Sequence, residues 1–411
     1  MLDLLKGLRV VECGILLIGD VPCMLFGDLG ADVIKIEEPR KGDYIRDMLG
    51  QIVPHHSPPH LQVNKNKRSV ALNLNKDEGR AALFELVRTA DIFVDGLRGG
   101  ATDKMGVGYQ ALKKVKPDII YLANCGFGHS GPYKRLASHG FSMNGVTGGL
   151  PLRRTQEGYL DSSRANETDL FGGIGNGGTG GTYAVAAALA AMLRRGRTGQ
   201  GAFIDAAACD SMICGSWFAA ALNLNFDRLA SAEDLSPRDE PQVSPWPQGS
   251  TRYALYEDSA GRALMFAAVE QKFWDRFCDV TGRKELKATF RSHLRNDFGQ
   301  DKPWLRQEIQ SIFSRRTSEE WVVLGLEHDI PISPVNRLLE VPEDPHIRAR
   351  GMIVDRDHPR AGTFTYTLYP AIVDGEHSDV TIPAPLLGEH TEEVLGALGY
   401  SKEQIRAACS V

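Results

Sequence analysis

The sequence predicts an α/β protein whose main domain is a parallel, Rossmann-like sheet covered by helices. Residues 8–125 alternate short β-branched runs with amphipathic segments, which is the pattern of consecutive β-α-β units. The chain has 411 residues, against about 100–200 for a usual domain, so a second domain is expected. Apolar residues make up 42% and charged residues 24% of the chain, which excludes a disordered protein.

The strands and helices of this region follow one another in a regular order. The predicted strands, rich in β-branched residues and bounded by turns, are 8–12, 32–39, 69–75, 91–97 and 118–126. The predicted helices between them are 22–31, 77–90 and 109–115. Asn75 and Glu78 have the spacing of a capping box at the start of the second helix. Ligands of such sheets bind beyond the carboxyl ends of the strands, so a site is expected there.

A polar, proline-containing stretch at about 223–249 divides the rest of the chain and is interpreted as a linker. Beyond it, 253–282 predicts a β-hairpin and then a helix, and a short helix is expected around 391–397. The resulting boundaries are a large Rossmann-like domain at 1–222, a linker at 223–252, a small α/β domain at 253–330 and a segment at 331–411 that returns to the large domain.

Charge and cysteine content exclude several classes of protein. With 47 Lys+Arg and 52 Asp+Glu the net charge is −5, and no basic block indicates nucleic acid as a partner. The seven cysteines are odd in number and none forms C-x-x-C, so neither a disulfide framework nor a zinc ribbon is expected. The sequence shows no secretory signal and no apolar stretch long enough to span a membrane. We therefore expect a cytoplasmic protein without a bound metal.

Glycine is enriched, with 43 residues, and it is concentrated in GGIGNGGTGG at 172–181, directly before an Ala-rich helix. Gly173, Gly175 and Gly178 match G-x-G-x-x-G, but no strand precedes them, which disfavours a dinucleotide site. Two interpretations remain. The segment is either a flexible loop capping the helix or a loop whose backbone approaches a bound acyl or thioester group, since glycine lacks a Cβ.

Other candidate residues are less specific. His139 has the chemistry of a general base, although a single histidine in a loop is often structural. A Gly-x-Ser-x-Gly nucleophile elbow is absent from the sequence. The basic runs at 64–68 and 194–197 are interpreted as solvated faces, the first with the alternative of meeting phosphates at a strand edge.

Eight segments, taken together and in order, resemble the class III CoA-transferases. This family includes formyl-CoA and carnitine CoA-transferases, benzylsuccinate CoA-transferase and the α-methylacyl-CoA racemases. The segments are 5–14, 27–43, 64–74, 95–109, 125–133, 197–212, 343–352 and 383–400. The resemblance implies a large domain built from both chain ends and two ring-shaped subunits interlocked as a dimer. It also implies a homologous subunit as partner, and a CoA thioester and a carboxylic acid as substrates, with no permanently bound cofactor.

The chemistry of the family centres on an Asp carboxylate. It attacks the acyl-CoA thioester, which gives a mixed anhydride and CoA thiolate, and the thiolate then forms an enzyme-bound thioester that the acceptor acid attacks. A carboxylate is a weak nucleophile, so proximity and desolvation have to assist it. Backbone N–H groups of a glycine loop stabilise the oxyanion. In this chain the glycine loop is assigned to Gly175, Gly177 and Gly178.

The resemblance places the nucleophile near Asn176 and Gly177, where this sequence has no acid. Asp169, followed by Leu-Phe-Gly-Gly, resembles the acid of the racemases but stands further from the helix. His139 falls where racemases carry a catalytic His, and Gly140 replaces the acid that follows it there.

The predicted CoA-binding residues come from four separate parts of the N-terminal region. They are Gly19, Asn75, Arg98 and Lys104, the last replacing a frequent Arg. Glu38 stands where relatives with a basic residue contact CoA phosphate.

Three functions follow from these residues. The first is a subunit of a heteromeric class III CoA-transferase, most like benzylsuccinate CoA-transferase, that has lost its nucleophile at Gly177 and pairs with an active paralogue. It would move CoA between a thioester such as succinyl-CoA and a carboxylic acid such as benzylsuccinate. The second is a homodimeric transferase with Asp169 as nucleophile. The third is an acyl-CoA racemase that uses His139 and Asp169 as a proton relay.

Overall fold

The computed structural model describes residues 2–137, 139–150, 153–161, 172–225, 228, 249–289, 297–300 and 302–411. The chain divides into unit 1, Met1–Trp217 with Gly351–Val411, and unit 2, Phe218–Arg350. Both ends of the chain therefore belong to unit 1. None of the helices in the described ranges has the length and apolarity needed to cross a membrane.

Strands and helices alternate through the N-terminal part of unit 1, as the sequence predicted. The strands are β1 Arg9–Gly14, β2 Asp32–Glu37, β3 Lys67–Ala71, β4 Ile92–Gly96, β5 Ile120–Cys125, β6 Arg153–Arg154, β7 Leu160–Asp161, β8 Ala202–Ala207, β9 Tyr253–Glu257, β10 Ala263–Ala267, β11 Ile332–Pro334, β12 Ile353–His358 and β13 Gly362–Thr367. The helices are α1 Leu16–Asp28, α2 Pro58–Val63, α3 Asp77–Arg88, α4 Ala101–Lys104, α5 Tyr109–Val115, α6 Gly140–Val146, α7 Gly172–Thr198, α8 Ala208–Gly215, α9 Trp217–Asn223, α10 Gln271–Val280, α11 Lys284–Thr289, α12 Pro303–Phe313, α13 Ser318–His328, α14 Pro345–Arg350, α15 Thr391–Ala397 and α16 Lys402–Cys409. Short 3₁₀ helices span Tyr44–Asp47 and Leu338–Glu343.

Six strands form the central sheet in the order β3-β2-β1-β4-β5-β8, and every neighbouring pair is parallel. This confirms the predicted Rossmann-like sheet. From β1 the chain moves outward through β2 and β3, and it then returns to the other side of β1 for β4, β5 and β8. The topological switch point therefore lies between the carboxyl ends of β1 and β4, where such sheets bind their ligands.

Each face of the sheet carries its own apolar core, because successive strand residues point to opposite faces. On one face, Val11 and Phe93 pack with α3 and with the C-terminal helices α15 and α16. On the other face, Val10 and Val94 pack with α1 and α7. Strands buried on both faces read as continuous apolar runs, which is why the sequence revealed them.

Three sequence predictions in this region were wrong in detail. Helix α1 begins at Leu16, six residues before the predicted start, and Pro22 lies inside it rather than in its first turn. The capping box is not formed, because Lys76 rather than Asn75 is the N-cap of α3, and the Asn75 N–H donates to Asn73 Oδ1 at 3.1 Å. Strand β3 ends at Ala71 instead of 75, because the next residues bond to the C-terminal segment, with Asn73 N 2.9 Å from Ala408 O.

The basic run at 64–68 is not a solvated face. The side chains of Asn64, Lys65 and Lys67 are buried. Lys65 Nζ lies 2.5 and 2.6 Å from the two carboxylate oxygens of Asp28, and Lys67 Nζ lies 2.8 Å from Glu12 Oε2. These charges can be buried because each is paired with an opposite charge. The hydropathy of the sequence alone does not show such pairing.

The glycine cluster is helical, so its interpretation as a loop was wrong. Residues 172–181 form the first turns of α7, and seven of these ten residues are glycine. Each glycine disfavours a helix by about 1 kcal/mol relative to alanine. The Ala-rich remainder of α7 propagates the helix cooperatively, and it packs on the sheet through Ala184, Val185 and Ala188.

Unit 2 contains a three-stranded antiparallel sheet in the order β11-β10-β9. The β9–β10 hairpin followed by α10 confirms the prediction for 253–282. Its core is aromatic, with Trp274, Phe277 and Phe313 fully buried. Strand β11 pairs with β10, so residues 332–334 complete this sheet, whereas the sequence analysis began the returning segment at Pro331. Most of the predicted linker lies outside the described residues.

Three glycines allow the β1–α1 turn to contact the end of β4. A Cβ on Gly19 would lie 2.8 Å from Gly14 Cα and 3.4 Å from Gly96 Cα, both backbone atoms that cannot move aside independently. We expect Gly19→Ala to lower the free energy of unfolding by about 1–3 kcal/mol, as overpacking does. Gly196→Ala is the matched control, because a Cβ there meets nothing within 4 Å and α7 gains helix propensity. Denaturant unfolding of both variants checks this, and equal midpoints would contradict it.

Candidate functional site

A cavity of about 810 Å³ opens at the switch point of the sheet. Its walls come from the turn after β1, the segment after β4, the end of β5 and the start of α6. The lining residues are Ile15, Leu16, Leu17, Ile18, Tyr44, Met48, Gly96, Leu97, Arg98, Gly99, Gly100, Ala101, Lys104, Met105, Cys125, Gly126, Arg135, Ala137, His139, Gly140 and Met143. This position is the one that the parallel topology predicts for a ligand.

The cavity combines apolar walls with exposed cations. Aliphatic and thioether side chains make up most of its surface, from Ile15–Ile18 to Met143. The three cations are Arg98, Lys104 and Arg135, and all three are exposed. Within the described part of the chain, no carboxylate lies within ion-pair distance of them. Unpaired cations beside an apolar wall suit a ligand with anionic groups and an apolar chain.

A buried carboxylate anchors the segment that carries Arg98 and leads to Lys104. Asp95 Oδ2 accepts hydrogen bonds from the Thr102 and Tyr121 hydroxyls, each at 2.7 Å, and Asp95 Oδ1 accepts from Leu97 N at 3.1 Å. Burial raises the pKa of Asp95, although the bonds from Thr102 and Tyr121 oppose this. These bonds fix both ends of the segment 96–102 to the sheet.

A smaller cavity of about 180 Å³ adjoins the first, because Ile15, Leu97 and Met105 line both. Asn73 and Asn75 border it, and so does Glu38. Glu38 is exposed, and its Oε2 accepts from Arg40 N at 3.0 Å and from Lys41 N at 2.7 Å. These bonds hold an acidic group at the edge of the cavity.

Four of the site residues predicted from the sequence lie at these two cavities, whereas Gly175, Gly177 and Gly178 belong to the first turns of α7. Arg98, Lys104 and His139 line the large cavity, and Asn75 lines the small one. Gly19 is buried in the first turn of α1 and lines neither cavity. Asp169 lies outside the described residues.

His139 is exposed at the wall of the large cavity and occupies the N-cap position of α6. Its backbone N–H lies 3.4 Å from Ser142 Oγ. Within the described ranges, the groups of three or more His, Cys, Asp or Glu side chains that a metal ion would need are absent. The described site therefore offers cations, one imidazole and apolar surface.

Helix α7 packs on α1. It precedes β8, whereas α1 follows β1, so both helices run from the carboxyl edge of the sheet toward its amino edge. A Cβ on Gly181 would lie 2.7 Å from Val21 Cγ1, which shows how closely α7 packs on α1. Gly177 precedes Gly181 by four residues and so lies on the same helical face, one turn nearer the carboxyl edge. The first turn of α1, at that edge, lines the cavity.

Beneath the cavity lies a buried ion cluster that the sequence analysis missed. Lys35 Nζ lies 2.7 Å from Glu12 Oε1 and 3.0 Å from Asp43 Oδ2. It also contacts Asp20. The side chains of Lys35 and of the three acids are at most 1% exposed. A buried lysine inside a strand is recognisable in sequence only if a partner for its charge is sought.

The members of the cluster have pKa values that are shifted in different directions. Burial alone would raise the pKa of Glu12, but Lys35 and Lys67 hold it well below its usual range. Burial raises the pKa of Asp20 well above its usual range, and the neighbouring charges of Asp43 and Glu12 add to this. Burial would lower the pKa of Lys35, yet the surrounding carboxylates raise it well above its usual range. Glu12 is therefore ionised and Lys35 charged at neutral pH.

Comparison with known proteins identifies the relatives of this chain. The sequence model of CoA-transferase family III matches residues 5–391. The succinyl-CoA:glutarate CoA-transferase of Mus musculus is 28% identical over 399 residues, which cover 95% of this chain and 85% of that protein. The formyl-CoA:oxalate CoA-transferase of Rhodopseudomonas palustris (strain BisA53) is 28% identical over 436 residues, covering 98% and 96%. A crystal structure of a CAIB/BAIF family protein from Brucella suis has a TM-score of 0.73 at 26% identity, covering 97% and 100%.

Proposed function

Because the chain belongs to CoA-transferase family III, we propose that it is the subunit of a heteromeric CoA-transferase that binds a CoA thioester but lacks its own nucleophile. A homologous subunit with an intact Asp would complete the enzyme. In this proposal two ring-shaped chains interlock, the CoA thioester is a substrate rather than a resident cofactor, and the enzyme works in the cytoplasm.

The large cavity supports binding of a CoA thioester. CoA carries phosphate groups at one end and an amphipathic chain ending in the thioester at the other. Arg98, Lys104 and Arg135 supply cations for the phosphates, and the apolar turn Ile15–Ile18 supplies a surface for the chain. Asn75 in the adjoining small cavity offers an amide to the same ligand.

The observation that carries the proposal is the glycine at position 177. Family resemblance places the Asp nucleophile at this turn of α7, one turn before Gly181, which packs on α1. Glycine has no side chain, so no carboxylate is presented there. Gly140, next to His139, removes a second acid that the racemase reaction uses in this family.

The substrates are proposed from the relatives and from the cavity. Relatives at 27–28% identity are named for transfer between succinyl-CoA and glutarate, which supports succinyl-CoA as a donor for this enzyme. The apolar wall around Met48, Met105 and Met143 supports an acceptor with an apolar substituent, such as benzylsuccinate.

The test is to compare the chain alone with the complex isolated from its source. Native mass spectrometry is expected to show a second chain of similar mass. The isolated chain should bind CoA, but it should transfer no CoA from succinyl-CoA and form no adduct that hydroxylamine releases. The complex should transfer CoA and form such an adduct. Transfer by the isolated chain at an ordinary enzymatic rate would refute the proposal.

Two further outcomes would identify the other functions. An adduct on the isolated chain that disappears in Asp169→Asn would establish a homodimeric transferase with Asp169 as nucleophile. Deuterium exchange from solvent into the α-carbon of an acyl-CoA, lost in His139→Ala, would establish the racemase, because His139 lines the cavity.

A further inference from the structure

We infer that the buried Lys35–Asp43 ion pair holds the turn after β1 in a strained conformation and thereby shapes the wall of the acyl-CoA cavity. Asp43 is then a positioning residue for the CoA thioester, and this part of the inference rests on the proposed function. Asp43 lines the small cavity but not the large one, and it does not belong to the residues that the family resemblance assigned.

The strained residue is Leu16. Its φ is +57°, in the left-handed region that residues with a Cβ disfavour. Five other non-glycine residues in the described part of the chain have positive φ, and none of them lines the large cavity. Leu16 does line it, together with its neighbours Ile15 and Leu17. Strain of this kind persists where surrounding bonds impose it, and it concentrates at functional sites.

Asp43 supplies the bonds that impose the conformation. Leu16 N donates to both carboxylate oxygens of Asp43, at 3.2 Å to Oδ1 and 3.0 Å to Oδ2. Asp43 Oδ1 also accepts from Ile45 N at 3.0 Å, as the N-cap of the following 3₁₀ helix. The backbone N–H of Asp43 donates to Glu37 Oε1 at 3.0 Å, which fixes the residue against β2. The Asp43 side chain is 1% exposed, so water does not compete for these bonds.

Lys35 holds both sides of the turn at once. Its Nζ is 3.0 Å from Asp43 Oδ2 and 3.4 Å from the carbonyl oxygen of Gly14, the last residue of β1. One ammonium group therefore bonds directly to the residue before the turn and, through Asp43, to the amide of Leu16 within it. Because Lys35 is itself fixed on β2, the turn is tied to the sheet rather than to a mobile loop.

This arrangement prepares the apolar wall before a ligand arrives. If the bonds to Asp43 were lost, Leu16 would relax to an ordinary φ and the side chains of the turn would change direction. The ligand would then have to restore the bound shape, and its affinity would fall by the fraction of molecules that hold that shape. The free protein is therefore strained at Leu16, and the ligand binds more tightly because the wall of the cavity already has its bound shape.

The experiment measures CoA binding by titration calorimetry and amide hydrogen exchange of the peptide that contains residues 14–20. In Asp43→Asn we expect about tenfold weaker CoA binding and about tenfold faster exchange in this peptide, because the strain at Leu16 is then released. Asp47→Asn is the matched control, because Asp47 is an exposed acid of the same 3₁₀ helix that lines neither cavity. It should match the wild type in both measurements.

Substitutions of Leu16 keep the inference testable if Asp43→Asn does not fold. Leu16→Ile places a β-branched side chain at positive φ and should weaken CoA binding more than Leu16→Met, which keeps an unbranched chain of similar volume at the same wall of the cavity. Unchanged exchange in Asp43→Asn, or equal CoA affinities for Leu16→Ile and Leu16→Met, would overturn the inference. Failure of the wild type to bind CoA would refute the proposed function instead, and the exchange data would still decide whether Asp43 holds the turn.

Discussion

Replacing Gly177 by Asp should give this chain a covalent intermediate that it does not form on its own. With succinyl-CoA, Gly177→Asp is expected to accumulate an enzyme-bound thioester at residue 177, which mass spectrometry detects and hydroxylamine removes. The position lies one helical turn before Gly181, which packs on α1, and the family resemblance places the Asp nucleophile at this turn. We expect the rate of adduct formation to exceed that of the wild type by about a hundredfold or more, since placing a nucleophile within reach has effects of that order.

Matched variants separate position from charge. Gly178→Asp places the same acid one residue further along the same helix, and therefore on a different side of it. This variant should form no adduct. Gly177→Asn preserves the position and removes the nucleophile, so it should remain unreactive. If Gly177→Asp formed no adduct although it bound CoA like the wild type, or if Gly178→Asp reacted equally well, position 177 would not be the vacated nucleophile site.

Removing the buried ammonium group of Lys35 should have the largest effect on stability. Lys35→Met leaves Glu12, Asp20 and Asp43 without their shared partner, and breaking a buried ion pair from one side costs about 3–5 kcal/mol. That is a large fraction of the roughly 5–15 kcal/mol by which a folded protein is usually stable. Guanidinium unfolding followed by circular dichroism at pH 7 measures the loss.

The sign of the pH dependence shows whether Lys35→Met is destabilised by unpaired charge or by lost packing. Burial already raises the pKa of Asp20 with Lys35 present, and without that ammonium group the ionisation of Asp20 destabilises the fold further as the pH rises. The deficit of Lys35→Met relative to the wild type should therefore shrink from pH 8 to pH 5. Lys114→Met, at an exposed position of α5, should change stability by less than about 0.5 kcal/mol. A deficit that did not depend on pH would indicate lost packing rather than unpaired charge.

The parallel sheet was predictable because its strands are apolar on both faces, as in Ile92–Val94 and Ile120–Leu122. Arg98, Lys104 and His139 were predicted as site residues through family resemblance, a prediction that stays open, and the structure shows that all three line one cavity. Arg135 was missed, since nothing in its local sequence distinguishes it from a surface arginine. Its position depends on how the segment after β5 folds against the segment after β4, where a Cβ on Gly99 would lie 2.7 Å from Lys134 O.

The buried charges were the main failure of prediction, for a physical reason. Lys35 and Lys67 stand in the strands β2 and β3, and Asn64 and Lys65 read as part of a basic surface. Their partners, Glu12 and Asp28 among them, lie on other elements, so the pairing exists only after the chain has folded. The helical conformation of the glycine cluster was missed for a similar reason, because local propensity opposes it and packing of the remainder of α7 supports it.

The contribution of both chain ends to unit 1 has a consequence for synthesis of the protein on the ribosome. The face of α3 that carries Leu83 and Leu86 is covered by α15 and α16, and Asn73 Nδ2 donates to Ser410 O at 2.7 Å. Roughly 190 residues separate the first part of unit 1 from the end of the chain. At about 5–20 residues per second, some 10–40 s pass before these helices can dock. During that interval the nascent sheet exposes an apolar face, which is the kind of surface that chaperones bind.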